Sequence, residues 1–140
     1  MTSPGRLETI RSDRQVPTVL DVAHNPDGIS ALVYSLSEAF AFERIVFVVG
    51  ILRDKDLKGM IAELTRVPSA IIFAEPRVAR STPVEVLEAA AEEVGSPSAG
   101  ASSVEEALAL AFSEAGERDL VCITGSHYVV GEARGHLLRS

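Results

Sequence analysis

Cysteine is nearly absent from the chain, since Cys122 is the only one among 140 residues. A lone thiol excludes an internal disulfide and suits the cytosol, and its place in the apolar run LVCIT indicates packing within a strand and not nucleophilic catalysis. Long apolar runs are absent too, because none approaches the roughly 18–20 residues of a membrane span. The N-terminus shows no signal-peptide pattern. We therefore expect a cytoplasmic protein with no membrane partner.

Positive charge is scarce and dispersed along the chain. The chain has 13 Lys and Arg against 20 Asp and Glu, which gives a net charge of −7. This negative charge argues against a nucleic-acid partner or an anionic membrane surface. The phosphate-loop pattern GxxxxGK[ST] is missing, so the sequence lacks the main cradle for a triphosphate. No HExxH, CxxC or EF-hand spacing indicates a dedicated metal site.

The sequence does hold a regular alternation of strand and helix patterns. Its length is that of one domain, and we expect the polar segment 1–15 to be a lead-in or interdomain linker before a single domain at 16–140. Apolar runs and helical spacing predict strands at 16–22, 45–51, 70–74 and 119–124, and helices at 26–42, 56–67, 83–95, 104–115 and 127–138. Residues 96–102 fit either a short strand or a loop. This order predicts an α/β fold in which helices cover both faces of a mostly parallel sheet.

Three of the predicted helices carry clear start signals. Asn25 supplies an N-cap, and Pro26 follows at the first helical position. The segment Thr82 to Glu85 is typical of a capping box, again with Pro at the first helical position, and the segment Ser103 to Glu106 is a second one.

The segment LDVAHNPDG, at 20–28, gathers unusual polar residues at the end of an apolar strand. Asp21, His24 and Asn25 lie directly before the helix that starts at Pro26. Free N–H groups at a helix start attract anions, and ligands bind at the carboxyl ends of strands in open α/β sheets. This segment is therefore the first candidate for a functional site.

Loops after successive parallel strands lie at one edge of a sheet, so further polar loops are expected beside this segment. The four loops that should meet are 21–27, 53–56, 75–81 and 125–128. Gly50 and Gly125 would allow a close approach of the backbone, and Arg77 and Arg80 are able to hold a carboxylate through paired N–H bonds. The loops together indicate a site for an anionic small molecule. The alternative is that such loops are polar in every α/β domain and that these arginines are only solvated.

Four segments in order carry a family resemblance: PGRLE at 4–8, LDVAHNPDG at 20–28, VVGILRDKD at 48–56 and TGSHYVVGEA at 124–133. Over nearly its whole length the chain resembles the C-terminal domain of folylpolyglutamate synthase, a member of the Mur ligase superfamily of ATP-dependent amide ligases. The resemblance implies a Rossmann-like sheet, ATP and Mg²⁺ as cofactors, and folate and L-glutamate as substrates. It also implies an N-terminal P-loop ATPase domain as partner, which would hold the phosphate loop and most magnesium ligands. The isolated chain is then expected to be inactive.

The resemblance also implies roles for the residues around the first segment. Asp21 and His24 are expected to be catalytic and, with Arg6 and Asn25, to contact ATP. From the residues alone, Asp21 fits ribose hydroxyls or the cap of a turn. His24 fits a phosphate or a hydrogen bond within its own loop. Asn25 is an N-cap in either case.

A second set is expected at the glutamate-binding edge of the active site. It consists of Asp54, Lys55, Asp56, Arg77, Arg80, Ser126, His127 and Tyr128. The alternative for the run at 54–56 is a charged helix start. No residue is assigned to a metal.

Two other functions stay open beside folylpolyglutamate synthesis, which itself leaves open a dihydrofolate synthase activity. The chain fits a free-standing small-molecule binding module that keeps the fold without catalysis. It also fits another Mur-type amide ligase, such as a cell-wall peptide ligase, although DVAHNPDG, DKD and GSHYVVGEA resemble the folate branch better.

Overall fold

The computed structural model describes residues 6–10 and 16–139, over which strands and helices alternate. The strands are β1 (Glu8–Ile10), β2 (Thr18–Asp21), β3 (Arg44–Val49), β4 (Ser69–Phe73), β5 (Ser98–Gly100) and β6 (Asp119–Thr124). The helices are α1 (Pro26–Ala39), α2 (Leu57–Leu64), α3 (Val84–Glu93), α4 (Val104–Glu114) and α5 (His127–Arg139). None of these described helices is long and apolar enough to cross a bilayer.

All six strands form one sheet in the order β1-β2-β6-β3-β4-β5. The five strands from β2 to β5 in this order run parallel, and β1 pairs antiparallel with β2 at one edge. The predicted α/β fold with a Rossmann-like, mostly parallel sheet is therefore confirmed.

β1 lies inside the segment 1–15, which the sequence indicated as a lead-in. Glu8 pairs with Leu20 and Ile10 with Thr18, and Arg134 of α5 donates to the Glu8 carboxylate at 3.0 Å. Three residues are too few to show a strand period in the sequence, so only their pairing reveals the strand. Residues 1–5 and 11–15 of the same segment, with Pro4 and Gly5 of PGRLE, lie outside the described residues.

Side chains of successive strand residues alternate between two apolar cores. In β3, Ile45, Phe47 and Val49 pack with α1, α2 and α3, whereas Val46 and Val48 pack with α4 and α5. Helices therefore cover both faces, as predicted. Burial on both faces explains why this strand has a continuous apolar sequence.

Two of the predicted helix starts are confirmed by their hydrogen bonds. Asn25 Oδ1 accepts from the Gly28 N–H at 2.7 Å, with Pro26 at the first helical position. Ser103 Oγ accepts from the Glu106 N–H at 3.1 Å. These side chains satisfy N–H groups that a helix start leaves without partners.

The capping box predicted at Thr82 is wrong. Pro83 occupies the N-cap position of α3 without a side-chain cap bond, and the Val84 N–H donates to Glu75 Oε1 at 3.2 Å. Thr82 bonds through its backbone N–H to the Ile51 carbonyl at 3.0 Å, and its hydroxyl finds no hydrogen-bond partner among the described residues. The Glu75 carboxylate, from the preceding loop, thus accepts the hydrogen bond at the start of α3 that the sequence pattern predicted for Thr82.

Other element boundaries differ from the predicted ones by a few residues. α1 ends at Ala39 and not at residue 42, because Phe40 adopts an extended backbone with φ −131° and ψ 146°. The ambiguous segment 96–102 contains a strand, β5, which pairs with β4 at the second edge of the sheet.

Candidate functional site

The carboxyl ends of the four central strands lie level with one another. Thr124 of β6 pairs with Asp21 of β2 on one side and with Val49 of β3 on the other, and Val49 pairs with Phe73 of β4. The predicted polar loops therefore leave the sheet at one edge, hereafter the carboxyl edge. They are the loops 21–27, 53–56, 75–81 and 125–128.

The ends of β3 and β6 touch backbone to backbone. Gly125 has φ +113°, and a Cβ there would lie 2.6 Å from the Gly50 carbonyl oxygen. Gly125 donates its N–H to the Ala23 carbonyl at 3.0 Å, and Gly50 donates to the Thr124 carbonyl at 3.3 Å. Only glycine has the conformational freedom and the space for this contact. It joins the loop after β2 to the ends of β6 and β3.

A cleft of about 300 Å³ opens where the start of β1, the end of β2 and the start of α1 meet. Arg6, Asp21, His24 and Asn25, the residues expected to contact ATP, all line it, and so does His127. His127, which the sequence analysis grouped with the glutamate set, thus lies in the same cleft as these four residues. The wall from α1 consists of Gly28, Ala31, Leu32 and Ser35.

The Asp21 carboxylate is bonded to backbone on both sides. Oδ1 accepts from the Ala23 N–H at 3.0 Å, and Oδ2 accepts from the Leu7 N–H at 3.0 Å. Asp21 therefore caps a turn, one of the two roles considered from the sequence, and it also holds the segment beside Arg6. An ionised carboxylate offers about four acceptor positions, so capacity is left for a ligand in the cleft.

His24 and His127 face each other across the cleft. Their ring centroids are 6.1 Å apart and their planes are inclined by 37°. His24 Nδ1 lies 3.1 Å from the Val22 carbonyl oxygen, and because a carbonyl only accepts, Nδ1 carries the proton. This tautomer leaves Nε2 as an acceptor, or as a second donor when the ring is charged. The hydrogen bond within the loop and a contact to a ligand are therefore compatible.

The thiol of Cys122 lies buried in the sheet near this cleft. Burial raises its pKa far above the ordinary value, and the negative charge of Asp21 raises it further. The thiol thus stays protonated, which agrees with the packing role predicted from the sequence.

The loops after β3 and β4 are tied to each other, next to but outside this cleft. Leu52 and Ser81 form an antiparallel bridge, and the Arg53 N–H donates to the Arg80 carbonyl at 2.7 Å. Arg53 Nε also donates to the Ser81 carbonyl at 3.3 Å. Arg77 and Arg80 are carried on this paired structure, with both residues exposed.

The run at 54–56 has its own local structure. Asp56 caps α2, since its Oδ1 accepts from the Gly59 N–H at 2.9 Å, and Asp54 has a positive φ of 72°. Lys55 and Asp56 line a groove of about 840 Å³ between α2 and α3, and neither lines the cleft of Asp21. For Asp56 the structure thus favours the helix-start interpretation.

The three residues at the start of α5 have separate positions. Ser126 is buried, and its Oγ accepts from the Val129 N–H at 3.2 Å. Tyr128 is exposed and does not line the cleft, so His127 alone among the three reaches it.

Basic side chains without an acidic partner collect on this side of the molecule. Among the described residues, Lys and Arg side chains with no carboxylate within 4.0 Å are Arg6, Arg53, Lys55, Arg77, Arg80 and Arg139. All but Arg139 lie in the cleft or on the loops after β3 and β4. Carboxylates such as Asp21, Asp54 and Glu75 lie on the same loops, so the edge carries both signs of charge, and these guanidinium and ammonium groups are the ones able to bind an anion there.

Two carboxylates that the sequence analysis does not single out help to build this edge. Glu132 Oε2 accepts from the Arg77 N–H at 2.6 Å, and Glu75 Oε1 accepts from Val84 at the start of α3. Glu75 lies in the predicted loop 75–81 and Glu132 in the segment TGSHYVVGEA, but their partners depend on packing between distant parts of the chain. Within the described ranges, no three His, Cys, Asp or Glu side chains gather closely enough to hold a metal ion.

Comparison with known proteins places this arrangement in a family. The pattern of the family described as "Mur ligase, glutamate ligase domain" matches residues 5–127 of the chain. The chain belongs to this Mur ligase domain family. Among its relatives, the dihydrofolate synthase/folylpolyglutamate synthase of Mycobacterium tuberculosis is 37% identical over 150 residues, which cover 96% of this chain and 30% of that protein.

Solved structures of related proteins share the fold of this Mur ligase domain. Mycobacterium tuberculosis folylpolyglutamate synthase complexed with ADP matches with a TM-score of 0.89 at 35% identity, over 99% of this chain and 33% of that one. The bifunctional folylpolyglutamate synthase/dihydrofolate synthase from Yersinia pestis, complexed with AMPPNP and Mn ion, matches with a TM-score of 0.83 at 30% identity. This match covers 98% of the present chain and 32% of the Yersinia pestis chain. The chain thus spans about a third of the length of these proteins.

Proposed function

We propose that this domain is the C-terminal part of an ATP-dependent folylpoly-γ-glutamate synthase, and that the cleft of Asp21 binds the nucleotide. The cleft itself carries the proposal. It gathers the Arg6 guanidinium, the imidazoles of His24 and His127 and the start of α1 at the carboxyl edge of a parallel sheet, where nucleotides bind in open α/β folds. Relatives solved with ADP and with AMPPNP support it.

The proposed reaction forms an amide through an acyl phosphate. A γ-carboxylate oxygen of the folate attacks the γ-phosphorus of ATP, and ADP leaves. The amine of L-glutamate then attacks the acyl carbon, phosphate leaves, and the nitrogen loses a proton as the amide forms. The phosphate loop and most of the magnesium ligands would belong to an N-terminal P-loop domain of the same protein.

Each residue of the cleft has a role that its contacts permit. Asp21 would accept from ribose hydroxyls with the lone pairs that Leu7 and Ala23 leave free, and Arg6 would hold phosphate oxygens. His24, with Nδ1 held by its own loop, would bond a phosphate oxygen through Nε2 when charged. Asn25 aligns the start of α1, whose N–H groups favour negative charge.

The loops after β3 and β4 would serve the incoming L-glutamate. Arg77 and Arg80 carry guanidinium groups that no described carboxylate pairs with, and these groups match the carboxylates of L-glutamate. The same edge includes the other proposed substrate residues, which are Asp54, Lys55, Asp56, Ser126, His127 and Tyr128. Ser126 and Asp56 would act by holding α5 and α2, since their side chains already cap those helices.

We expect a second domain to close over the carboxyl edge and exclude water from the reacting groups. An acyl phosphate reacts with water, so it must form in a site from which water is excluded. Folate, L-glutamate and ATP would then lie between the two domains. We place this ligase in the cytoplasm, which the lone thiol of Cys122 favours.

The test compares this chain alone with the full-length product of its gene. ATP-dependent transfer of labelled L-glutamate to a folate is expected from the full-length protein and not from the chain alone. An antibody against the chain should detect a native product much larger than 14.9 kDa. Dihydropteroate as acceptor tests the second activity, and a muramyl peptide tests the cell-wall alternative.

Turnover by the pure chain would contradict the division of labour proposed here. A native product of the chain's own size that binds nucleotide without turnover would instead favour the binding-module function.

A further inference from the structure

Glu132 joins two parts of the carboxyl edge that are far apart in the sequence. It lies in α5, and its Oε2 accepts a hydrogen bond from the backbone N–H of Arg77 at 2.6 Å. Hydrogen bonds that involve a charged group are short and strong compared with neutral ones. This contact therefore fixes the loop after β4 against α5.

The chemistry of this contact is selective. A glutamate that only neutralised charge would pair with the guanidinium of Arg77, yet Glu132 bonds to the backbone of that residue. The guanidinium keeps no carboxylate within 4.0 Å in the part of the chain that the structure describes. Glu132 thus fixes where Arg77 lies and leaves its side chain available to an anion.

The other hydrogen bonds of the loop set its shape and tie it to the loop after β3, not to α5. Ser81 Oγ donates to the Pro76 carbonyl at 2.8 Å, and the Arg80 carbonyl accepts from Arg53. Glu132 is the hydrogen-bonding partner that α5 contributes. Its bond joins the backbone of Arg77 directly to α5, one residue beyond Pro76.

The same helix also reaches the nucleotide cleft. His127, the first residue of α5, lines the cleft opposite His24. Near the middle of this edge, a Cβ added to Gly50 would lie 3.0 Å from both Pro76 Cδ and Val129 Cβ, so the loop and α5 meet there. α5 is therefore a rigid connection between the loop of Arg77 and the cleft.

We propose that Glu132 is a positioning residue for the second substrate. By holding the backbone of Arg77, it sets the guanidinium at a fixed distance from the nucleotide cleft, where it binds a carboxylate of the incoming dicarboxylic amino acid. This inference rests on the proposed function and gives a role to Glu132, which that function does not otherwise use. Precise placement matters because the amine must reach the acyl carbon while a carboxylate is held.

The experiment has a structural and a kinetic arm. Amide hydrogen exchange of Arg77 is measured by NMR in the chain, and steady-state kinetics are measured in the full-length ligase. In Glu132→Ala we expect Arg77 exchange and the KM for L-glutamate each to rise about tenfold, while kcat and the KM for ATP change by less than about twofold. Glu132→Gln keeps an oxygen acceptor and should restore both values to within about threefold.

The matched control is Glu117→Ala, which removes an exposed glutamate before β6, at the opposite edge of the sheet; it should change neither value. Glu132→Asp replaces the alanine variant if that variant does not fold. It keeps the charge but shortens the side chain, so it should raise the KM for L-glutamate about tenfold as well.

Three results would overturn the inference. Unchanged Arg77 exchange in Glu132→Ala would show that the bond does not hold the loop. Faster exchange with an unchanged KM for L-glutamate would show that the loop position does not matter for this substrate. A wild-type ligase that adds no glutamate at all would refute the proposed function and the role of Glu132 with it.

Discussion

The Asp21 carboxylate accepts a hydrogen bond from the Leu7 backbone N–H at 3.0 Å, across 14 positions of sequence. Leu7 has a positive φ of 47°, a conformation that costs a residue with a side chain about 1–2 kcal/mol. The bond to Asp21 offsets that cost and keeps the segment of Arg6 against the cleft. Asp21, which we propose contacts the nucleotide, therefore also holds Leu7, the neighbour of Arg6, a second proposed nucleotide contact.

Asp21→Asn is expected to loosen this segment. Leu7 and Ala23 donate to different carboxylate oxygens, and the amide replaces one of these with an NH2 group, which cannot accept; the negative charge is lost as well. We expect the free energy of unfolding to fall by about 1–3 kcal/mol, with faster amide exchange at Leu7 or Ala23. Urea unfolding followed by circular dichroism measures the first quantity. Glu38→Gln, an exposed position on α1, serves as control and should stay within about 0.5 kcal/mol; equal stability of the two variants would contradict the holding role.

Gly125→Ala should strongly destabilise the domain. The position has φ +113°, and the new Cβ would lie 2.6 Å from the Gly50 carbonyl oxygen, so strain adds to a backbone clash. We expect a loss of about 3 kcal/mol or more. The matched control is Gly131→Ala within α5, where an added Cβ would have no atom within 4 Å. This variant should raise the free energy of unfolding by about 0.5–1 kcal/mol. A mild effect at Gly125, measured by urea unfolding, would contradict the close contact of β3 and β6.

Local signals in the sequence predicted what depends on few neighbouring residues. The cap at Asn25 needs only its own side chain and the N–H of Gly28, and it forms as expected. The apolar run of β6 predicted its bounds, Asp119–Thr124, because burial on both faces leaves no polar interruption.

Features that depend on distant partners were not accessible in this way. Thr82 has the sequence of a cap, but Glu75 takes that role because the loop after β4 brings its carboxylate to the start of α3. β1 is recognised only through its pairing with β2. Within the site, the proximity of His127 to His24 depends on how α5 packs against the loop after β2 and is not visible in the sequence.

Thr124→Val should stabilise the domain. The Thr124 hydroxyl is fully buried and has no hydrogen-bond partner among the described residues, so replacing it by a methyl group removes the cost of burying it. We expect the free energy of unfolding to rise by about 1 kcal/mol.

The control for this prediction is Thr18→Val, at the other end of the neighbouring strand. Thr18 is also a buried residue, but its hydroxyl donates to the Val16 carbonyl at 3.4 Å, so this variant should not be stabilised. Chemical unfolding of both variants decides the matter, and a loss of stability in Thr124→Val would mean that its hydroxyl has a partner in solution.

Cys122 should make stability depend on pH in the alkaline range. Burial raises the pKa of its thiol in the folded state above the ordinary value of 9.0. Below that value the thiol holds its proton in both states, so its contribution to stability is fully present. As the pH rises above it, the unfolded chain loses the proton while the folded chain keeps it. The free energy of unfolding should then fall by about 1.4 kcal/mol per pH unit from this group.

Cys122→Ala isolates this effect from the other groups that titrate in the same range. The difference in unfolding free energy between wild type and Cys122→Ala, measured by urea unfolding, should be constant below pH 9.0 and shrink above it. The native thiol should also resist alkylating reagents until the chain unfolds, because the reactive thiolate is not formed. Rapid labelling of the native chain at neutral pH, or a difference that stays constant above the ordinary pKa, would contradict the buried, protonated state of Cys122.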